Sequence, residues 1–259
     1  MKARRTHALK SISNLPTSFC RELEAIFSDI DDTLTISGKI PSFIIDVLYE
    51  LADAGVKVFM VTGRPAAFGL ALENYFGFLS GVITENGGAL CANGRIEPLV
   101  KIGDIAAYRA ELQGIHDKLC EKFGELPTSV GNEFRLTDFA IDRRGMDDAK
   151  VVKIVEHAKE LGADVVFSSI QIHLFKHKMD KGKAVRAVAR RFGVDAGKIL
   201  TLGDSPNDEP LFRFEHSVGV ANVLRYIDRL EHKPAFVCSK PAAHGALELA
   251  REILRKRKG

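Results

Sequence analysis

Four short segments hold the residues whose types and spacing could do chemistry. The first is Asp29-Ile30-Asp31-Asp32-Thr33-Leu34-Thr35, reached through an apolar run that begins at Ala25. Side chains two apart on a strand face the same way, so Asp29 and Asp31 are expected to project together. Two carboxylates side by side repel each other unless a cation or a proton lies between them. Magnesium is the natural partner, because it prefers oxygen ligands and phosphate-bearing substrates. An acidic turn with an Asx cap would present the same string of residues.

The second segment is Val61-Thr62-Gly63-Arg64-Pro65. A hydroxyl and free backbone N–H groups at a strand-to-helix turn suit a phosphate oxygen, while Thr62 could equally be a helix cap. Arg64 is a candidate phosphate ligand or a surface ion pair. The third segment is Asp180-Lys181-Gly182-Lys183, where Lys181 could neutralise a phosphoryl group together with its acceptor and Lys183 reads as a surface residue. The fourth is Leu202-Gly203-Asp204-Ser205-Pro206-Asn207-Asp208. Ser205 is placed as an N-cap and Pro206 as the first helical residue. Asp204 and Asp208 then either serve the helix N-terminus, where carboxylates are favoured, or converge as metal ligands.

The elements that must position these segments follow from the apolar pattern. Strands are expected over 25–30, 56–61, 81–84, 199–202, 216–220 and 235–238, with helices over 41–54, 66–76, 183–192, 206–214, 224–231 and 245–255. Such alternation implies a parallel sheet covered on both faces. The middle of the chain breaks the rhythm. It carries turn residues of a hairpin around 89–91, a helix over 105–123, a strand over 134–141, a helix over 147–161 and two strands over 165–168 and 170–175. The expected fold class is therefore α/β. A Rossmann-like, doubly wound parallel core is made from 1–85 and 178–259, with an inserted α+β cap at 86–177.

Composition sets the wider frame. The 259 residues are 46% hydrophobic and 27% charged, with a net charge of +3. That is enough apolar material for a packed core. No stretch approaches the roughly 20 apolar residues of a membrane span, and the basic, polar start has no apolar run of the secretory type. A cytoplasmic protein without membrane or nucleic-acid partners is expected, although an Arg-containing start is also compatible with a transit peptide. The four cysteines, Cys20, Cys91, Cys120 and Cys238, make no Cys-x-x-Cys pair or zinc spacing and are read as reduced thiols. The basic end at 251–258 is read as a partly helical, solvated tail.

Taken in order, the four segments resemble the motifs of the haloacid dehalogenase-like phosphohydrolase superfamily. Asp29, Asp31 and Thr33 fit its Asp-x-Asp-x-Thr, and Thr62 its Ser/Thr after a strand. Lys181 fits its lysine, and Gly203, Asp204 and Asp208 its Gly-Asp-x-x-x-Asp. The resemblance covers residues 25–240, and its first and fourth motifs are the specific ones. The insertion between the second and third motifs, with Thr84-Glu85-Asn86-Gly87-Gly88 before it, looks like the sugar-phosphatase branch, in which the cap selects the substrate. Asp32 departs from the family, where many members carry Gly.

The resemblance implies a magnesium-dependent phosphatase acting on a sugar phosphate or small phosphorylated metabolite, as a monomer or homodimer. Asp29 would be the nucleophile and Asp31 the acid and base. The ion would be held by Asp29, the Asp31 carbonyl and Asp204, with Asp208 beside them. Thr62 and Lys181 would hold phosphoryl oxygens, with Gly63, Arg64 and Asn207 near them. In the cap, Asn132, Arg135, Asp138, Arg143 and Arg144 surround an expected strand, as substrate contacts or as solvated strand ends. His173 and Gln171 lie on a later strand, His173 either reaching substrate or hydrogen-bonded in the interior. His116 and His157 are expected to be exposed. Rival readings are a phosphomutase using the same residues, a receiver-like phospho-acceptor, and a binding protein on the same scaffold. Neither Gly-x-Gly-x-x-Gly nor a P-loop occurs.

Overall fold

The structure, a computed structural model, describes residues 9–168 and 170–258. It begins with a two-residue strand β1 (Lys10–Ser11) and a short helix α1 (Thr17–Glu22). There follow β2 (Ala25–Ser28), α2 (Ser42–Asp53), β3 (Lys57–Val61), α3 (Ala66–Tyr75) and β4 (Leu79–Thr84). A hairpin, β5 (Ala89–Ala92) and β6 (Arg95–Pro98), leads into α4 (Ile105–Phe123), β7 (Phe139–Asp142), α5 (Asp148–Glu160), β8 (Asp164–Phe167) and β9 (Gln171–Phe175). The chain closes with α6 (Lys181–Arg191), β10 (Ile199–Gly203), β11 (His216–Gly219), β12 (Phe236–Val237) and α7 (Ala242–Lys258).

Nine strands form one sheet in the order β1-β12-β11-β10-β2-β3-β4-β5-β6. Pairing is parallel from β1 to β4 and antiparallel through the hairpin. The central strands are buried on both faces, so they read as continuous apolar runs, and the period of two divides them. Ile26, Val58, Met60, Leu200 and Leu202 pack on the α2 and α7 side, while Phe27, Phe59, Val61 and Ile199 pack towards α6. Phe27 and Phe59 stack with ring centroids 4.5 Å apart. Helix α2 buries Ile44, Val47, Leu48 and Leu51 at helical spacing, and Gly55, at φ 84°, follows its end.

A separate antiparallel sheet, in the order β7-β9-β8, packs against α4 and α5 around Leu112, Leu119, Ile141, Ile154, Ile172 and Leu174. The fold is thus α/β, with a mostly parallel core sheet and a small inserted antiparallel sheet.

Some details depart from the expectations. The hairpin assigned to the insertion pairs onto β4 and extends the core sheet, so the independent sheet begins only after residue 98. Local turn residues mark a hairpin but do not say which sheet it joins. The strand expected over 134–141 is confined to Phe139–Asp142, because Asn132–Phe134 winds into a 3-10 turn behind Gly131 at φ 92°. The helix expected over 206–214 is two 3-10 turns, Pro206–Asp208 and Leu211–Arg213, with Pro210 between them lacking the N–H that a helix needs.

The two ends are more ordered than the sequence suggests. Within residues 9–24, β1 pairs with β12 and α1 packs on α7. The expected solvated tail is helix to Lys258. Lys256 is buried, its Nζ donating to the carbonyls of Ser13 at 2.7 Å and Leu15 at 2.6 Å. Arg257 donates to those of Cys20 at 2.8 Å, Leu23 at 3.0 Å and Ala54 at 2.9 Å. These cations satisfy carbonyls left without partners at helix ends and turns. All four cysteines are free. No helix among the described residues is long and apolar enough to cross a membrane.

The start of α6 is held by close packing. A Cβ at Gly182 would lie 2.3 Å from the Pro210 carbonyl oxygen. Gly182→Ala should therefore lower the urea midpoint, with a loss of about 1–3 kcal/mol typical of overpacking, despite the better helix propensity of alanine.

Candidate active site

The parallel strands β2, β3 and β10 end at one edge of the sheet, the edge at which open α/β sheets bind ligands. Asp29 follows β2, Thr62 follows β3 and Asp204 follows β10, while Lys181 opens α6. The Asp29 N–H bonds the Leu202 carbonyl at 2.9 Å, which fixes the end of β2 against β10. Gly203 is required here, since a Cβ would lie 2.5 Å from the Asp208 Cβ. That close approach lets Asp208 Oδ2 accept from the N–H groups of Asp204 at 3.0 Å and Ser205 at 3.4 Å.

Asp29, Asp204 and Asp208 are all buried, and one carboxylate oxygen of each lies within 4.8 Å of the others. Lys181 Nζ, also buried, donates to Asp29 Oδ1 at 2.7 Å and Asp208 Oδ1 at 2.6 Å. Burial, then Asp208, pushes Asp29 up to about 7, with Lys181 opposing. The same order of causes, with Asp29 adding, pushes Asp204 up to about 9. Burial alone would lower the Lys181 ammonium, but Asp208 and Asp29 outweigh it and raise it. The two partners of one ion pair shift the same way because three carboxylates share one cation. Fully ionised, the group carries a net charge of −2. A compact all-oxygen donor set with that deficit fits a hard divalent cation.

Asp29 and Asp31 line the same cleft, but not as neighbours on one strand face. β2 ends at Ser28, so alternation does not reach Asp31. The Asp31 side chain is half-exposed and lies outside the buried trio. Arg64 holds it instead, with Nε 2.9 Å from Oδ2 and Nη2 2.6 Å from Oδ1, while the guanidinium lies 4.8 Å from the Phe68 ring centre. The hydrogen bond to Asp31 raises the Arg64 pKa. The Asp31 backbone carbonyl accepts no hydrogen bond among the described residues. Asp32 stands at φ 60°, which accounts for a position where glycine also fits.

Thr62 is fully buried, and its Oγ1 accepts from the Arg64 N–H at 3.1 Å, organising the turn rather than capping α3, whose N-cap is Pro65. A cleft of about 950 Å³ is lined by Asp29, Asp31, Gly63, Arg64, Asp204 and Asn207 from the core, and by Arg135, Arg143, Arg144, Gln171 and His173 from the insertion. Asn207 Oδ1 accepts from Ser205 Oγ at 2.5 Å, a hydrogen bond within the turn after β10.

Arg135 and Asp138 are not solvated strand ends. Both are buried, with Arg135 Nη1 donating to Asp138 Oδ1 at 2.7 Å and to the Gly63 carbonyl at 3.0 Å. His116 is buried as well, its Nε2 2.9 Å from the Leu126 carbonyl oxygen. Arg143 and Arg144 pair with Asp148 and Asp142.

Two residues had no assigned role. Glu85, at φ 52°, accepts from the N–H groups of Ala66 and Leu136 at 3.0 Å, and from the N–H and hydroxyl of Thr137 at 2.6 Å. It joins core to insertion, and burial, with Asp138 adding, raises its pKa. Asn86, at φ 55°, lines the cleft with Nδ2 unpartnered among the described residues. The signal available for both was an Asn-Gly pair between a buried strand and a hairpin, where left-handed backbone is common.

Residues 23–251 match the family described as sucrose-6F-phosphate phosphohydrolase. The chain belongs to this family, within the haloacid dehalogenase-like phosphatases. The phosphatase is similar to a phosphoglycolate phosphatase of Staphylothermus marinus, 31% identical over 239 residues that cover 88% of this chain and 96% of the relative. It is also similar to a phosphoglycolate phosphatase of Methanothermobacter thermautotrophicus, 26% identical over 234 residues, 90% of this chain and 99% of the relative. A solved structure from Thermoplasma acidophilum shares the fold, with a TM-score of 0.74 at 20% identity over 89% of this chain and 98% of that one.

The raised carboxylates set the pH response of the metal-free phosphatase. Their native pKa values, about 7 and about 9, lie above those of the unfolded chain. The native state therefore holds protons that the unfolded state releases, and stability falls as pH rises from about 4 to about 9. Asp204→Asn should flatten that fall, raising the metal-free melting temperature at pH 8 by roughly 3 °C or more, about 1 kcal/mol for a chain of this size. Added magnesium should raise the wild-type melting temperature and leave the variant's unchanged.

Proposed function

We propose that this phosphatase is a magnesium-dependent phosphomonoester hydrolase that passes the phosphoryl group through Asp29. It would act on a sugar phosphate or another small phosphorylated metabolite. The observation that carries the reading is the burial of Asp29 against Lys181, Asp204 and Asp208 at the carboxyl edge of the sheet. In this reading magnesium, held by Asp29, Asp204 and the Asp31 carbonyl with Asp208 beside them, supplies charge neutralisation to the phosphoryl oxygens. An Asp29 oxygen attacks phosphorus in line, the bond from phosphorus to the leaving oxygen breaks, and an aspartyl phosphate forms.

Asp31 gives its proton to the leaving oxygen. It then takes one from the water that attacks the aspartyl phosphate and regenerates Asp29. Arg64 holds both Asp31 oxygens, so it must release one before Asp31 can carry that proton. Lys181 offsets charge on Asp29 and the phosphoryl group as they approach, and Thr62 fixes the turn that places Gly63 at the cleft. Asn207, Arg64 and Arg135 are proposed substrate contacts, with residues 99–177 as the part that selects the leaving group. The family description favours a sugar phosphate, and the names of the relatives favour a small phosphorylated acid.

Phosphate release from a panel of both kinds tests the reading. Wild type should release phosphate only with magnesium, and Asp29→Asn should lower the rate roughly a thousandfold or more. Release that survives Asp29→Asn, or that persists in excess chelator, would overturn it.

A further inference from the structure

The small sheet sorts its side chains by the period of two. On β9, Ile172 and Leu174 enter the apolar core of the insertion, while Gln171 and His173 line the cleft. His173 is almost fully buried, and its Nδ1 lies 2.8 Å from Asp138 Oδ2. Asp138 Oδ1 in turn takes Arg135 Nη1, which also donates to the Gly63 carbonyl. A continuous chain of hydrogen bonds thus runs from the Thr62–Gly63 turn through Arg135 and Asp138 to an imidazole at the cleft.

This chain fixes the tautomer. Burial would raise the Asp138 pKa, but Arg135 and His173 outweigh it and hold the carboxyl below its ordinary range. A carboxylate only accepts, so Nδ1 carries the hydrogen. Burial lowers the pKa of the ring, with Arg135 and Lys181 adding and Asp138 opposing, so the imidazole is neutral near pH 7. Its Nε2 then presents a lone pair. The strand neighbours in register with His173 are Ala140 and Val166, which offer no side-chain donor, and Nε2 has no partner among the described residues.

We infer that His173, oriented by Asp138 and Arg135, is a specificity residue whose Nε2 accepts a hydrogen bond from a hydroxyl on the leaving group. The inference rests on the phosphatase reading and deepens it. A carboxylate has no hydrogen to give this atom and meets it favourably only when the ring is protonated. A cleft of about 950 Å³ is also larger than a two-carbon acid fills.

The test uses polyol phosphates of three to six carbons, each paired with the alkyl phosphate of equal chain length, together with phosphoglycolate. Wild type should favour the polyol member of a pair near pH 7.5. His173→Ala should raise KM for that polyol about tenfold, the equivalent of one modest hydrogen bond, with kcat little changed and the alkyl phosphates unaffected. His173→Gln keeps an acceptor and should restore most of the preference. Asp138→Asn, which can face Nδ1 as donor or acceptor, should weaken it. Lowering the pH should raise KM for the polyol and lower it for phosphoglycolate. Nitrogen-15 spectra of the wild-type imidazole should show hydrogen on Nδ1 alone.

Equal losses on polyol and alkyl substrates, or an Nε2-protonated ring at pH 7.5, would overturn the assignment. Hydrolysis by wild type without preference for hydroxyls would overturn it while leaving the phosphatase reading intact. Failure of wild type to hydrolyse any substrate would overturn both.

Discussion

Three buried carboxylates around one lysine are the constraint on which the rest of the molecule depends. Asp29, Asp204 and Asp208 are drawn together where β2 and β10 end, and Lys181 is the cation that bonds directly to two of them. Left as it stands, the cluster is electrostatically short of positive charge. That deficit raises the pKa values of Asp29 and Asp204. The same deficit explains why Asp208 is so fully engaged: both of its oxygens are occupied, one by the ammonium and one by backbone N–H groups. It is a scaffold for the other two.

The insertion is tied to this edge by polar contacts between buried groups. Arg135 reaches the Gly63 carbonyl, and Glu85 collects donors from both sides of the junction. Polar junctions of this kind are directional, so they fix where the cleft-facing side chains of β9 stand relative to the turn after β3. An apolar junction of equal area would hold the two parts together with less control over their register.

Much of this was legible in the sequence. The order of the four motifs, the alternation of strands and helices and the change of rhythm in the middle all follow from local patterns, and α4 begins and ends where its apolar period does. The parts that were not legible share one cause: they are decided by partners distant in the chain. Nothing near Asp31 announces that Arg64 will occupy it, and nothing near Arg135 or Lys256 announces burial, because charged residues are ordinarily solvated. The hairpin expected around 89–91 forms over 89–98, but it extends the core sheet rather than the insertion to which it was assigned, since pairing with β4 is a tertiary choice. His173 was readable as either a ligand or an interior histidine. In the structure it is paired with Asp138 through Nδ1 and lines the cleft.

The pairing of β1 with β12, and the hold of Lys256 and Arg257 on carbonyls at Ser13, Leu15, Cys20 and Leu23, give the molecule a particular order of assembly. β1 lies at the edge of the sheet beside β12, so this edge forms only when two segments distant in the chain meet. The inserted sheet, whose strands and helices are contiguous and share their own apolar core, needs no such wait. The inserted sheet can therefore be complete while that edge of the core sheet is still open. Closing that edge ties residues 10–23 to residues 236–257.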